Sequence, residues 1–266
     1  MRSGISTACL YPMLLEKSFS TLISMNFKLF EIFVNTFSEL DAKYMKTLKK
    51  AADAGGCTVR SVHPFTSGYE SFLLFSGYER RFYDSLEFYK RYFEACNILG
   101  ADILVLHGKR ADKKDGLGDE GYFERYLGLF GLGKKFGVTV AQENVNMFLS
   151  NNAGFICRMK KFCGDSCAFV LDIKQAVRGG LDPFEICSAM GDKIIHLHLN
   201  DNDKSSDCLL PGRGCMDYMR LMDMLKGFGY GGDIVTEVYR KSFGGLDELK
   251  SAGKISGKLA AYYNSL

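Results

Sequence analysis

Three carboxylates and three imidazoles stand where β-branched or apolar runs end: His63, His107, Glu143, Asp172, His198 and Glu237. A strand covered on both faces offers no water to an ionisable side chain, which is then costly unless paired or bound to a cation. Taken singly, each has a plain structural use. A histidine at a strand end can be a hydrogen-bonded core residue, and Asp172 can cap a helix. Repetition changes the balance, because carboxylates and imidazoles gathered at one place repel or stay unsatisfied without a positive charge among them. The set therefore points to one divalent metal ion. Three carboxylates and an imidazole supply mostly oxygen, which suits Mn²⁺, Mg²⁺ or Co²⁺, with Mn²⁺ favoured and Zn²⁺ still possible.

The runs that carry these residues lie at 4–10, 28–34, 57–63, 102–107, 138–144, 168–173, 193–200 and 233–239. Between them fall amphipathic segments such as 39–56, with apolar residues at three- and four-residue spacing and a closing Gly-Gly. The segment 79–101 is rich in aromatics, and its stripe fits packing onto a sheet better than stacking on bases. Strand and helix alternating from end to end predicts an α/β fold with a parallel sheet. Eight units closed by right-handed crossovers predict a single (β/α)₈ barrel, which gathers the carboxyl ends of its strands on one rim.

At 266 residues with 47% hydrophobic content, the chain suits one such barrel over residues 1–266. Four prolines and no low-complexity stretch leave no place for a linker. A net charge of +3, with Lys and Arg dispersed, argues against a nucleic-acid partner. The segment MRSGISTACLYP has neither the order of a signal peptide nor the length of a membrane span, so a cytoplasmic protein is expected. Nine cysteines without a C-x-x-C pair read as reduced thiols, and the spacing of Cys157, Cys163 and Cys167 matches no zinc motif.

Seven motifs together, SVH (61–63), VLHG (105–108), QEN (142–144), LDIKQA (171–176), HLHLND (196–201), LLPGRG (209–214) and TEVY (236–239), give the chain a family likeness. It resembles, over essentially its whole length, the xylose isomerase-like superfamily of sugar-phosphate isomerases, ketose 3-epimerases and apurinic endonucleases. The resemblance implies that Glu143, Asp172, His198 and Glu237 are the metal-binding quartet. It also implies that Glu143 and Glu237 take and return the proton beside a substrate carbonyl, through an enediolate. His63, His107 and Gln175 are then candidates to contact sugar hydroxyls, Glu31 on the second strand to line the substrate cavity, and Lys204 and Arg213 to meet a phosphate or carboxylate. The expected partner is a small sugar or sugar phosphate, with homo-oligomers common in such barrels.

Two positions depart from the endonuclease branch, which has histidines where this chain has Gln175 and Cys208. Neither matches imidazole as a ligand, so a three-metal site is not expected. Three readings stay open at this stage: a metal-dependent sugar isomerase or epimerase, an abasic-site endonuclease, and a barrel that binds a sugar without turning it over.

Overall fold

A computed structural model describes residues 1–112 and 117–266. Eight strands close a parallel barrel in chain order. They are β1 (Ser3–Ser6), β2 (Leu29–Phe33), β3 (Thr58–His63), β4 (Ile103–Leu106), β5 (Thr139–Glu143), β6 (Phe169–Asp172), β7 (Ile194–Leu199) and β8 (Asp233–Thr236). The helices around it are α1 (Leu15–Ser24), α2 (Ala42–Ala54), α3 (Glu70–Leu73), α4 (Glu79–Leu99), α5 (Asp119–Lys135), α6 (Ala153–Cys163), α7 (Ile173–Arg178), α8 (Pro183–Met190), α9 (Tyr218–Gly227) and α10 (Leu246–Ser265). No helix among the described residues is long and apolar enough to cross a membrane.

Three strand ends shape the rim. The first stops at Ser6, whose hydroxyl accepts the Ala8 amide at 3.3 Å and turns Thr7–Leu10 into a 3₁₀ segment. The sixth passes into α7 with no residue between, because Asp172 ends β6 and also caps the helix, accepting the Gln175 amide at 3.3 Å. The eighth ends at Thr236, so Glu237 projects from the residue just past the strand. The last two stops leave Asp172 in cap geometry and Glu237 in a loop, while His63, Glu143 and His198 stay within their strands at the mouth of the barrel.

The aromatic stripe of α4 faces inward. Tyr89, Tyr92 and Phe93 are fully buried, and each such ring is worth on the order of 2 kcal/mol of burial. Their polar tips are satisfied: the Tyr89 and Tyr92 hydroxyls meet Thr66 Oγ1 at 3.3 and 3.1 Å. Gly100, at φ 77°, supplies the left-handed residue that stops the helix. At the opposite end of the barrel, Asp233 closes the seam between β8 and β1 by accepting the Arg2 amide at 2.8 Å and its guanidinium at 2.7 Å. All nine cysteines are unbridged.

Candidate active site

The rim brings Glu143, Asp172, His198 and Glu237 together. Each offers one donor atom, and the four atoms lie within 4.8 Å of one another. His198 is at the centre: its Nδ1 lies 3.0 Å from Glu143 Oε1, 3.5 Å from Asp172 Oδ2 and 3.4 Å from Glu237 Oε2. His63 and His107 add a second group with Glu143. His107 Nε2 is 2.8 Å from Glu143 Oε2 and 3.0 Å from His63 Nε2. All four histidines of the chain therefore belong to one cluster, the fourth being His196 beneath the rim.

Neighbours in the same motifs hold these side chains in place. Gln142 donates to the carbonyls of Leu106, His107 and Glu143 at 3.1, 2.9 and 2.9 Å, tying the end of β4 to that of β5. Tyr122 holds the carboxamide oxygen of the same residue. Asn144 exchanges two bonds with the Asp172 backbone, both 2.8 Å, and fixes β5 against β6. Asn200 donates to Asp172 Oδ1 at 3.2 Å. The two amides that flank Glu143 thus spend their hydrogen bonds on backbone and on Tyr122, which leaves the central residue of QEN aimed at the rim.

Glu31 does not line the cavity, contrary to the sequence expectation. It is fully buried one layer below, where its Oε2 receives Ser61 Oγ at 2.8 Å and faces His198 Nε2 at 3.1 Å and His196 Nε2 at 3.3 Å. The cause is register: Glu31 pairs with Ser61 in the middle of β3, not with its rim end. Its use is orientation, since a carboxylate on one ring nitrogen turns the other toward the rim.

A cavity of about 410 Å³ opens above the quartet, lined by Glu143, Glu237, His63, His107, Gln175 and an aromatic wall that includes Phe33, Phe65 and Tyr239. Phe33 stacks on His63 with ring centres 4.7 Å apart. Gln175 keeps its amide nitrogen for the cavity, because its carboxamide oxygen already accepts the Asn146 amide at 3.1 Å. Lys204 and Arg213 are not brought to this cavity. Asp203 pulls its loop into a tight turn by accepting the amides of Ser205 and Ser206 at 2.7 and 2.9 Å, which leaves Lys204 exposed. Arg213 points to Glu248 on α10, 3.8 Å away.

Sequence reasoning missed Lys174. Its ammonium lies within hydrogen-bonding contact of Asp172 Oδ2 and Glu237 Oε2. Burial alone would lower its pKa, but the charges of Asp172 and Glu237 outweigh burial and hold it well above the ordinary lysine value. Burial would raise Glu143, yet His107, His198 and His63 keep its carboxyl well below the usual range. Burial likewise opposes ionisation of Glu237, and Lys174 and His198 overcome it. Burial pushes His107 and His196 below the ordinary imidazole value, against the pull of Glu143 on the first and Glu31 on the second.

The donor set suits a divalent ion in its chemistry: three carboxylates and an imidazole whose second nitrogen is committed to a carboxylate. Glu143 Oε2, although close to His107, has no aligned hydrogen bond and keeps lone pairs for another partner.

Residues 19–261 match the family model described as xylose isomerase-like TIM barrel, and the chain belongs to that family. Among solved structures it is similar to a D-tagatose 3-epimerase-like protein, at 20% identity and TM-score 0.77 over 100% of this chain and 97% of that one. It is also similar to a D-psicose 3-epimerase from Clostridium cellulolyticum, solved with D-tagatose, at 17% identity and TM-score 0.75 over 100% and 99% of the two chains. A third likeness is to the IOLI protein, solved with a bound zinc atom, at 16% identity and TM-score 0.73 over 99% and 98%. At these identities the likeness establishes the fold. An uncharacterized protein of Mycobacterium bovis is 31% identical over 90 residues, which are 33% of this chain and 32% of that protein.

Proposed function

We propose that the chain is a divalent-metal-dependent sugar epimerase or isomerase, Mn²⁺ being the favoured ion, in which Glu143 and Glu237 move a proton on and off carbon. The observation that carries this reading is the convergence of Glu143, Asp172, His198 and Glu237, one atom each within 4.8 Å, on the floor of a cavity with an aromatic wall. A divalent ion held by the four would supply the Lewis acid that polarises a substrate carbonyl.

The side chains divide the remaining work. Glu143 and Glu237 are kept ionised by His107 and Lys174, as a base must be before it accepts a proton from carbon. His107, at the cavity edge, and the free amide of Gln175 are positioned to hold hydroxyls. Phe33, Phe65 and Tyr239 present apolar faces to the C–H side of a sugar and exclude water from the reacting carbon. Lys204 and Arg213 stand outside the cavity, which favours a sugar without a phosphate. Gln175 tied to Asn146, and Cys208 engaged by the Ser242 hydroxyl at 3.5 Å, favour this reading over an abasic-site endonuclease.

The test is exchange of carbon-bound hydrogen with D₂O, followed by NMR over a panel of ketoses and aldoses with Mn²⁺, Mg²⁺ or Co²⁺ present. At least one sugar is expected to exchange, with Glu143→Gln and Glu237→Gln abolishing it. A panel that stays fully protonated with every ion overturns the reading.

A further inference from the structure

Lys174 is only 2% exposed, and a buried ammonium is sustained only by opposite charge at contact distance. It has two such partners, Asp172 Oδ2 and Glu237 Oε2. The same two oxygens face His198 Nδ1 at 3.5 and 3.4 Å, and their residues are two of the four whose donor atoms converge on the rim. A divalent ion bonds such donors at about 2.0–2.2 Å and takes the lone pairs that the ammonium now uses. Two positive centres sharing the same pair of carboxylate oxygens would stand only about 4 Å apart and repel strongly in a buried site that screens charge poorly. A way out is built beside them: Lys174 lines the cavity, and its nitrogen stands 5.8 Å from the centre of the Tyr239 ring, a face that attracts cations.

We infer that Lys174 is a tethered cation which fills the ion position in ion-free protein, so that loading a divalent metal is an exchange in which the ammonium leaves for the cavity. The inference rests on the quartet being the ion site proposed above. No bond is made or broken; the lysine stays an ammonium and gives up two carboxylate contacts, which the metal takes over. The ion-free barrel therefore carries its own counter-charge and needs no metal to keep three buried carboxylates together. The cost of evicting Lys174 weakens metal binding, and the released ammonium arrives in the space where substrate oxygens sit.

The experiment compares wild type with Lys174→Met, which keeps length and loses charge. Equilibrium dialysis against Mn²⁺ with elemental analysis is expected to give one ion per chain in both, with the variant binding at least ten-fold tighter. Equal midpoints overturn the inference, and so does a failure of both proteins to bind. A second readout uses wild type alone, and covers a variant that does not fold: acetylation by a water-soluble amine-reactive ester, mapped by mass spectrometry. Lys174 is expected to be protected without metal and to become reactive at saturating Mn²⁺. A Lys174 that stays protected in ion-loaded protein refutes the exchange and leaves the epimerase reading standing. Exchange of ammonium for Mn²⁺ without any sugar turnover refutes only the epimerase reading.

Discussion

His198 and Glu31 meet through Nε2 and Oε2 at 3.1 Å, and this contact turns Nδ1 toward the three carboxylates of the rim. A carboxylate behind an imidazole fixes its tautomer and raises its basicity. Glu31→Gln keeps an acceptor there and removes the charge. Mn²⁺ affinity is expected to fall about ten-fold to 100-fold in the variant, the range seen when such outer partners are removed. Titration of both proteins checks it, and unchanged affinity would mean that Glu31 serves the core alone.

Asp172 serves two ends at once, and two substitutions separate them. Asp172→Ala removes the cap of α7 along with the rim carboxylate, and should lose about 1 kcal/mol from the cap alone in addition to ion binding. Asp172→Asn keeps a capping oxygen and is expected to lose ion binding with a smaller fall in melting temperature. Indistinguishable melting curves for the two variants would argue that the cap contributes nothing.

Glu70 gives a pH dependence with a definite sign. It is buried under the β4 loop, accepts the Gly108 amide at 2.5 Å and the Tyr89 hydroxyl at 2.9 Å, and burial lifts its pKa from 4.5 to about 8. An acid whose folded pKa is raised binds more protons folded than unfolded between these values, so stability falls as pH rises through that window. Wild type should therefore lose melting temperature relative to Glu70→Gln from pH 4.5 up to about 8, and the gap should level off above it. Melting curves that run parallel across the window refute the assignment.

Gly108 follows His107 at φ 86°, and a Cβ there would strike the Tyr122 hydroxyl that secures Gln142. Gly108→Ala is expected to cost about 1–3 kcal/mol from backbone strain and to loosen His107 and Glu143 together. Chemical denaturation reads the first effect. The second appears as lower activity in protein that is still folded.

Lys204 and Arg213 supply a negative control. Both stand outside the cavity, so the double change to alanine should leave KM for an exchanging sugar within about two-fold. A ten-fold rise would bring their loop back into the site.

Much of this arrangement was legible in the sequence, for identifiable reasons. Parallel strands covered on both faces read as continuous apolar runs, so His63, His107, Glu143, Asp172, His198 and Glu237 stood out against them. His196 could have been found as well, since residues two apart on a strand share a face and it lies two before His198. Lys174 could not be read this way. It sits in the first turn of α7, where its direction depends on the exact residue at which β6 ends, and lysines are rarely buried. Glu31 was placed on the right strand and the wrong layer, because depth within the barrel follows from register with β3. Glu70 lies in α3, a helix of four residues, too short for periodicity to mark its buried side.

The direct passage from β6 into α7 leaves that side of the mouth without a hinge. The backbones of Asp172, Lys174 and Gln175 are tied to the barrel wall and to the helix together, so these positions cannot be shifted one at a time. The opposite side is built differently, with Tyr11, Asn35 and Ser67 lying beyond the ends of β1, β2 and β3 in the connections that lead to the first helices. Natural variation that retunes the preferred small molecule should accumulate on those three connections, while the β6 edge stays constant across proteins that share the chemistry.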